Sequence, residues 1–170
     1  ILSSSLELDQ VLDHILDRIK NVILGDTFNI MLIEGGMARV VRWHGYEDIE
    51  LADSINAYSL DIKEYGSFKT MRSTGKGMFI MDTQEDSHWV LRDGWEWLRS
   101  YVGAPISVGG EIVGFINING KQPNMFNATD ARYLEVFAYH AATALQNARL
   151  YRRISDSLAE KEVLLKEIHH

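Results

Sequence analysis

An aromatic cluster is the part of the chain best suited to bind a ligand. Three tryptophans and a tyrosine fall close together: Trp89, Trp95, Trp97 and Tyr101. Aromatic walls with a few polar groups suit a flat or apolar small molecule. The same rings could also fill the space that they surround, so a ligand pocket and a plugged cavity both stay open as hypotheses.

Two histidines could hold an iron cofactor. His88 directly precedes the aromatic cluster, and His44 lies at the end of a predicted strand. Imidazole is a good haem ligand when a neighbour fixes its second ring nitrogen. A histidine in a polar loop is more often only hydrated. Haem bound through His88 or, as second choice, His44 is therefore an alternative, and the sequence otherwise leaves any cofactor unknown.

Composition excludes several classes of site. The 170-residue chain has no cysteine, so it offers no thiol nucleophile, thiolate zinc site or thioether-linked cofactor. Its net charge of −7, with no basic cluster, argues against a nucleic-acid partner. No apolar run is long enough to span a bilayer, so we expect a cytoplasmic domain without membrane contact. No nucleotide-binding motif is present, and we expect no catalysis by this chain itself.

The elements that position these residues follow from hydrophobic periodicity. Apolar residues at three- and four-residue spacing predict an amphipathic helix over 8–23. Six strands are predicted at 27–33, 37–44, 58–62, 78–81, 101–108 and 111–119, with glycine pairs 35–36 and 109–110 forming tight turns. Ser67 is expected to cap a short helix over 68–73, and segment 82–100 has some helical character. This order predicts an α+β domain with a central antiparallel sheet.

A long helical pattern runs from Thr129 to His170, with Asn127 or Thr129 as its cap. At 1.5 Å per residue it would span roughly 60 Å, so its second half has nothing in the chain to pack against. One stripe, including Leu134, Ala138 and Leu145, should face the sheet. A second stripe has heptad spacing. This seam comprises Phe137, His140, Ala144, Asn147, Tyr151, Ile154, Leu158, Lys161, Leu165 and Ile168.

The seam predicts a parallel homodimer, with a solvated helix as the alternative. A helix that leaves its own domain usually connects it to another. We therefore divide the chain into a sensor domain over 5–150 and a signalling helix over 151–170.

The chain resembles a GAF domain over about residues 5–150. The resemblance rests on Ser5-Leu6-Glu7-Leu8-Asp9-Gln10-Val11-Leu12, on the glycine-rich run from Gly103 to Ile116, and on Asn127-Ala128-Thr129-Asp130. It implies about six antiparallel strands, with the terminal helices on one face and short helices and loops enclosing a pocket on the other. Gly103 is expected to let helix and sheet approach closely.

The resemblance also implies which residues line that pocket. They are Asn29, Met31, Phe79, Met81, Trp89, Trp95, Trp97, Tyr101, Phe115, Asn117 and Asn119. Asn117 and Asn119 either face this pocket or mark a hydrated stretch of sheet. Relatives that reduce sulfoxides need a redox thiol and those that bind bilins usually need a cysteine, so the chain is expected to do neither.

The C-terminal residues Leu164-Leu165-Lys166-Glu167-Ile168-His169-His170 resemble the start of the phosphoacceptor segment of sensor histidine kinases. That resemblance would make His170 the phosphoacceptor; the alternative is that the two histidines begin a purification tag. The expected function is a sensory GAF domain of a histidine kinase, binding a small molecule and signalling through a dimeric helix to a downstream kinase domain. The alternatives are a haem-based gas or redox sensor and a ligand-free dimerisation spacer.

Overall fold

The computed structural model describes residues 6–49 and 54–169. His170 lies outside the described residues, so its predicted role is not addressed by the structure. The main elements are α1 (Leu6–Val22), β1 (Thr27–Glu34), β2 (Met37–His44), β3 (Ser59–Asp61), α2 (Gly66–Thr74), β4 (Met78–Ile80), β5 (Ser100–Val108), β6 (Glu111–Gly120) and α3 (Ala128–Ile168). Short 3₁₀ turns at Ile55–Ala57 and Ile62–Glu64 flank β3.

The six strands form one antiparallel sheet in the order β3-β2-β1-β6-β5-β4. The β1–β2 and β5–β6 hairpins turn at Gly35-Gly36 and Gly109-Gly110, all with positive φ angles that side chains rarely adopt. The central β1–β6 pair joins the two hairpins, with Asn29 opposite Asn117. The predicted α+β fold with a six-stranded antiparallel sheet is confirmed.

Alternation along the strands separates two faces of the sheet. On the helix face, Ile30, Val102 and Ile116 pack against α1 and α3. On the opposite face, which we call the cavity face, Met31 and Phe115 pack under α2 and the connecting loops. Because successive side chains point to opposite faces, each strand contributes to both cores.

Two local predictions in the connecting segments are wrong. α2 begins at Gly66 with Tyr65 as its N-cap residue and no side-chain cap, so Ser67 lies inside the helix. Segment 82–99 contains turns and no helix. Hydrogen bonds within the segment join its two ends: the amide of Thr83 donates to the carbonyl of Arg99, and its hydroxyl donates to that of Leu98. Gly94, with a φ of 85°, interrupts any helical path.

α3 begins with a complete capping box. The Asn127 side chain accepts a hydrogen bond from the Asp130 amide, and the Asp130 carboxylate accepts one from the Asn127 amide. Of the two predicted caps, Asn127 is the one used.

None of the helices within residues 6–49 and 54–169 has an apolar stretch that could span a lipid bilayer.

The seam of α3 has two different environments. Phe137 is buried and Ala144 half-buried in the helix-face core, and Arg18 of α1 stacks on the Phe137 ring. Phe137 and Ala144 of the predicted seam are therefore covered within the same chain, whereas His140 and Asn147 are exposed, which corrects the expectation that the whole stripe is free. From Tyr151 onward the seam is exposed.

Replacing Asn127 by Ala should lower the free energy of unfolding by about 1 kcal/mol, because the first turn of α3 loses a side-chain acceptor. Urea denaturation followed by circular dichroism measures the change. Thr129→Ala is the matched control, since Thr129 is also exposed and its hydroxyl accepts a hydrogen bond from the Arg132 side chain. Equal losses in the two variants would contradict the cap assignment.

Candidate functional site

A cavity lies on the cavity face of the sheet, between the strands, α2 and segment 82–99. Its floor is formed by Asn29 and Met31 of β1, Tyr101 of β5, and Asn117 and Asn119 of β6. The remaining lining residues are Tyr58, Leu60, Tyr65, Gly66, Ser67, Phe68, His88, Trp89, Val90, Arg92, Trp95 and Leu98. We call this space the sheet cavity.

The sheet cavity is small because aromatic side chains fill much of it. The space open to the centre of a water molecule is about 40 Å³, enough for roughly three waters. Trp95 stacks on Trp97 with ring centroids 5.5 Å apart and lies 4.9 Å from the ring of Tyr58. Buried Tyr46 meets both indoles edge-on. The aromatic cluster therefore both walls the cavity and occupies part of the space beside it.

The floor of the sheet cavity is a buried chain of hydrogen bonds, which we call the amide–phenol network. The Tyr101 hydroxyl donates to Asn117 Oδ1 at 2.5 Å, and Asn117 Nδ2 donates to Asn29 Oδ1 at 2.9 Å. Asn29 Nδ2 then donates to the Tyr46 hydroxyl at 2.8 Å. Asn119 also reaches the Tyr46 hydroxyl, at 3.3 Å. The amides of the floor are therefore paired with other protein groups rather than exposed as a hydrated stretch of sheet.

Gly103 makes room for this network. Gly103 of β5 pairs with Asn117 of β6, so a side chain at position 103 would point to the cavity face. A Cβ at Gly103 would collide with the Tyr101 hydroxyl. The close approach that requires this glycine is with a tyrosine on the cavity face, and not with the helices as the sequence led us to expect.

One cationic side chain in the wall has unpaired donors. Arg92 lies among three rings, with its guanidinium carbon 4.6 Å from the centroid of Trp95, 5.1 Å from that of Tyr65 and 5.3 Å from that of Tyr58. Its Nε and Nη1 atoms are buried and have no hydrogen-bond partner among the described residues. Burial lowers the pKa of Arg92 from its ordinary value to about 10, so the side chain remains protonated at neutral pH.

The family is decided by comparison with known proteins. The family model described as GAF domain matches residues 5–146, which is most of the chain. The chain belongs to the GAF family. None of the curated proteins compared with this GAF domain has a significantly similar sequence.

Solved structures share the same fold. A GAF domain/HD domain protein from Geobacter sulfurreducens is 13% identical, with a TM-score of 0.74 over 84% of this chain and 94% of that one. The GAF domain of a two-component sensor histidine kinase from Bacillus halodurans is 18% identical, with a TM-score of 0.66 over 85% and 97%. A type II free methionine-R-sulfoxide reductase from Thermoplasma acidophilum is 14% identical, with a TM-score of 0.67 over 82% and 93%. At such identities these similarities establish the fold alone.

The structure places seven of the eleven predicted pocket residues of this GAF domain around the sheet cavity. They are Asn29, Met31, Trp89, Trp95, Tyr101, Asn117 and Asn119. Trp97 and Phe115 lie in the core of the cavity face without lining the cavity, since Trp97 stacks behind Trp95 and Phe115 is covered by Phe68.

Phe79 and Met81 do not line the cavity. Phe79 pairs with Val102, which points to the helix face, so the Phe79 side chain packs against the helix-face core. Met81 follows the last residue of β4 and is 56% exposed. Sequence reasoning also missed Tyr46, Tyr58, Tyr65 and Arg92. An arginine between two tryptophans is an unusual placement, and that local signal could have identified Arg92.

Neither candidate histidine of the GAF domain fits a haem site. His88 lines the sheet cavity but is itself exposed, with Nδ1 3.2 Å from the Ser87 hydroxyl. His44 lies toward α1, with Nε2 3.1 Å from a carboxylate oxygen of Asp17. The cavity of about 40 Å³ is far below the several hundred Å³ typical of cofactor sites.

The buried phenols of the GAF domain should make its stability sensitive to alkali. Burial raises the pKa of Tyr101, and the nearby Tyr46 raises it further. A phenol whose pKa is higher in the folded state stabilises the protein fully below its unfolded pKa of about 10, and this stability is lost as pH rises above that value. Well above pH 10, Tyr101 alone should contribute a loss of about 1.4 kcal/mol per pH unit.

Tyr101→Phe isolates this contribution. At pH 8 the variant should be about 1–2 kcal/mol less stable than wild type, because Asn117 Oδ1 loses its donor. Between pH 10 and 11 the difference should shrink by about 1 kcal/mol, because only wild type loses the Tyr101 contribution. Urea denaturation at pH 8, 9, 10 and 11 measures both quantities. A difference that stays constant over this range would contradict the assignment.

Proposed function

We propose that this GAF domain is the sensory domain of a cytoplasmic sensor histidine kinase. It binds a small molecule in the sheet cavity and passes the signal through a homodimeric α3 to a downstream kinase domain. In this proposal the chain contacts neither nucleic acid nor membrane, and residues 151–170 form the signalling helix. His170 is the proposed phosphoacceptor.

One observation carries the proposal: β5 and β6 connect the cavity to α3. Tyr101 and Asn117 line the cavity, while Val102 and Ile116, next to them in the chain, pack in the core under α1 and α3. A ligand that shifts the strand positions on one face must move side chains on the other. Signalling also requires that the ligand bind two helix arrangements with different affinities.

The exposed part of α3 supports the homodimer. Tyr151, Ile154, Leu158 and Leu165 follow the heptad seam and are all exposed in the single chain. This apolar surface continues beside α1, where Leu6, Val11 and Tyr151 border a groove. A second copy of the same helix would cover these side chains with an identical surface.

A ligand-free dimerisation spacer is the second candidate. The small volume of the sheet cavity favours it, because 40 Å³ holds only a few non-hydrogen atoms without rearrangement. Under the sensory function, a larger ligand would enter only if segment 82–99 moved. This segment contacts the rest of the cavity face through aromatic rings.

Native mass spectrometry of protein taken directly from cell extract distinguishes the two candidates. The proposed function predicts a dimer with an additional small-molecule mass that denaturation releases. The spacer predicts a dimer at the bare polypeptide mass. A monomer in native spectra of the full-length protein would contradict both.

A further inference from the structure

The guanidinium of Arg92 is the unsatisfied group of the sheet cavity. The structure pairs two other arginines with carboxylates: Arg42 with Asp13, and Arg99 with Asp82 at 3.1 Å. Arg92 is different, because its Nε and Nη1 atoms are buried and unpaired among the described residues. Arg92 is half-buried as a whole, but N–H groups of a cation that have lost water without gaining a partner are unfavourable.

Ring contacts alone do not complete Arg92. Tyr58, Tyr65 and Trp95 lie within 4.6 to 5.3 Å of its guanidinium carbon and supply cation–π contacts. Such contacts do not use the N–H groups, which lie in the guanidinium plane. Each unpaired donor shares one edge of the guanidinium with Nη2, and the complement of such an edge is a flat acceptor with two oxygens, which receives parallel hydrogen bonds.

The remaining polar groups of the cavity favour a single negative charge. Of the described residues that line it, none is acidic, and Arg92 is the sole lysine or arginine. Asn29, Asn117 and Tyr101 are already paired in the amide–phenol network. One positive charge among neutral groups matches a monoanion better than a doubly charged phosphate.

We infer that the sheet cavity binds a small carboxylate whose two oxygens accept hydrogen bonds from the Arg92 guanidinium, with a short apolar tail among the surrounding rings. This inference rests on the proposed function, since it names the chemical class of the sensed molecule. The volume of about 40 Å³ sets the size, because it admits a carboxyl group and very few further atoms.

Isosteric pairs of probes test the charge requirement. Sodium acetate and propionate are titrated against acetamide and propionamide, with sodium chloride keeping the ionic strength constant. Tryptophan fluorescence reports binding, because Trp95 contacts the guanidinium. Each acid should bind roughly 10- to 100-fold more tightly than its amide, as expected for a hydrogen-bonded charge pair. Inorganic phosphate should bind more weakly than propionate.

Three variants separate recognition from folding. Arg92→Met should remove the preference for acid over amide, and Arg92→Lys should reduce it about tenfold because lysine keeps the charge without the planar fork. Arg72→Met, at an exposed position of α2, should bind like wild type. If Arg92→Met fails to fold, Arg92→Lys carries the test.

The outcomes are distinguishable from failure of the proposed function. Equal affinities for acid and amide, tighter binding of phosphate, or unchanged binding by Arg92→Lys would overturn the carboxylate inference. If the mass released from cell extract is a neutral compound, the inference fails while the proposed function stands. If no probe binds and no mass is released, both fail.

Discussion

Leu158→Asp is expected to convert the proposed dimer to a monomer. Leu158 lies on the seam of α3, is 57% exposed in the single chain and belongs to neither hydrophobic core, so the substitution leaves both cores intact. In the proposed dimer, each copy would lose a buried leucine and the two new carboxylates would face each other. The dissociation constant should rise about 100-fold or more, since burying one leucine contributes about 1.5–3 kcal/mol.

Val163→Asp is the matched control for this prediction. Val163 is also 57% exposed but lies five residues further along the helix, away from the heptad stripe. Sedimentation velocity over a concentration series measures both variants, and circular dichroism checks that each retains its helix. A dimer that survives Leu158→Asp and dissociates with Val163→Asp would place the interface on another face of α3.

Asn117→Leu is expected to cause the largest loss of folding stability. It removes the acceptor of the Tyr101 hydroxyl and the donor to Asn29 Oδ1, and all three residues are buried. Each buried polar group without a partner costs about 1–3 kcal/mol, so the free energy of unfolding should fall by roughly 2–5 kcal/mol. For a domain whose total stability is typically about 5–15 kcal/mol, this is a large fraction.

A double variant tests whether the loss comes from the network. Adding Tyr101→Phe to Asn117→Leu should cost less than the sum of the two single changes, because the unpaired hydroxyl is removed with its acceptor. Asn21→Leu, at an exposed position of α1, should change stability by less than about 0.5 kcal/mol. Strict additivity of the two single changes, measured by urea denaturation, would show that the network is not coupled.

The elements of the fold were predictable because they depend on local periodicity. In β6, Asn117 and Asn119 alternate with buried isoleucines, and glycine pairs mark both hairpin turns. The face of a short strand was less predictable, as Phe79 shows. Its direction depends on pairing with Val102 of β5, a partner that the three residues of β4 do not specify.

The candidate site was predictable only in part. Residues on regular strands, such as Asn29 and Tyr101, could be assigned to a face by alternation. Tyr46 could not, because it follows β2 in an irregular loop and reaches the network only when the chain closes over the sheet. The role of Arg92 also depends on Tyr58 and Tyr65, which are distant in sequence.

By itself, the sequence determined the order of helices and strands, the division of the sheet into two faces and the long helix with its apolar seam. These follow from side-chain spacing, which repeats over a few residues. Only the tertiary structure decided which polar groups satisfy one another and that Nε and Nη1 of Arg92 have no hydrogen-bond partner in the described part of the chain. Such pairing depends on long-range contacts, because hydrogen bonds and charges act between atoms that the folded chain brings within about 3 Å.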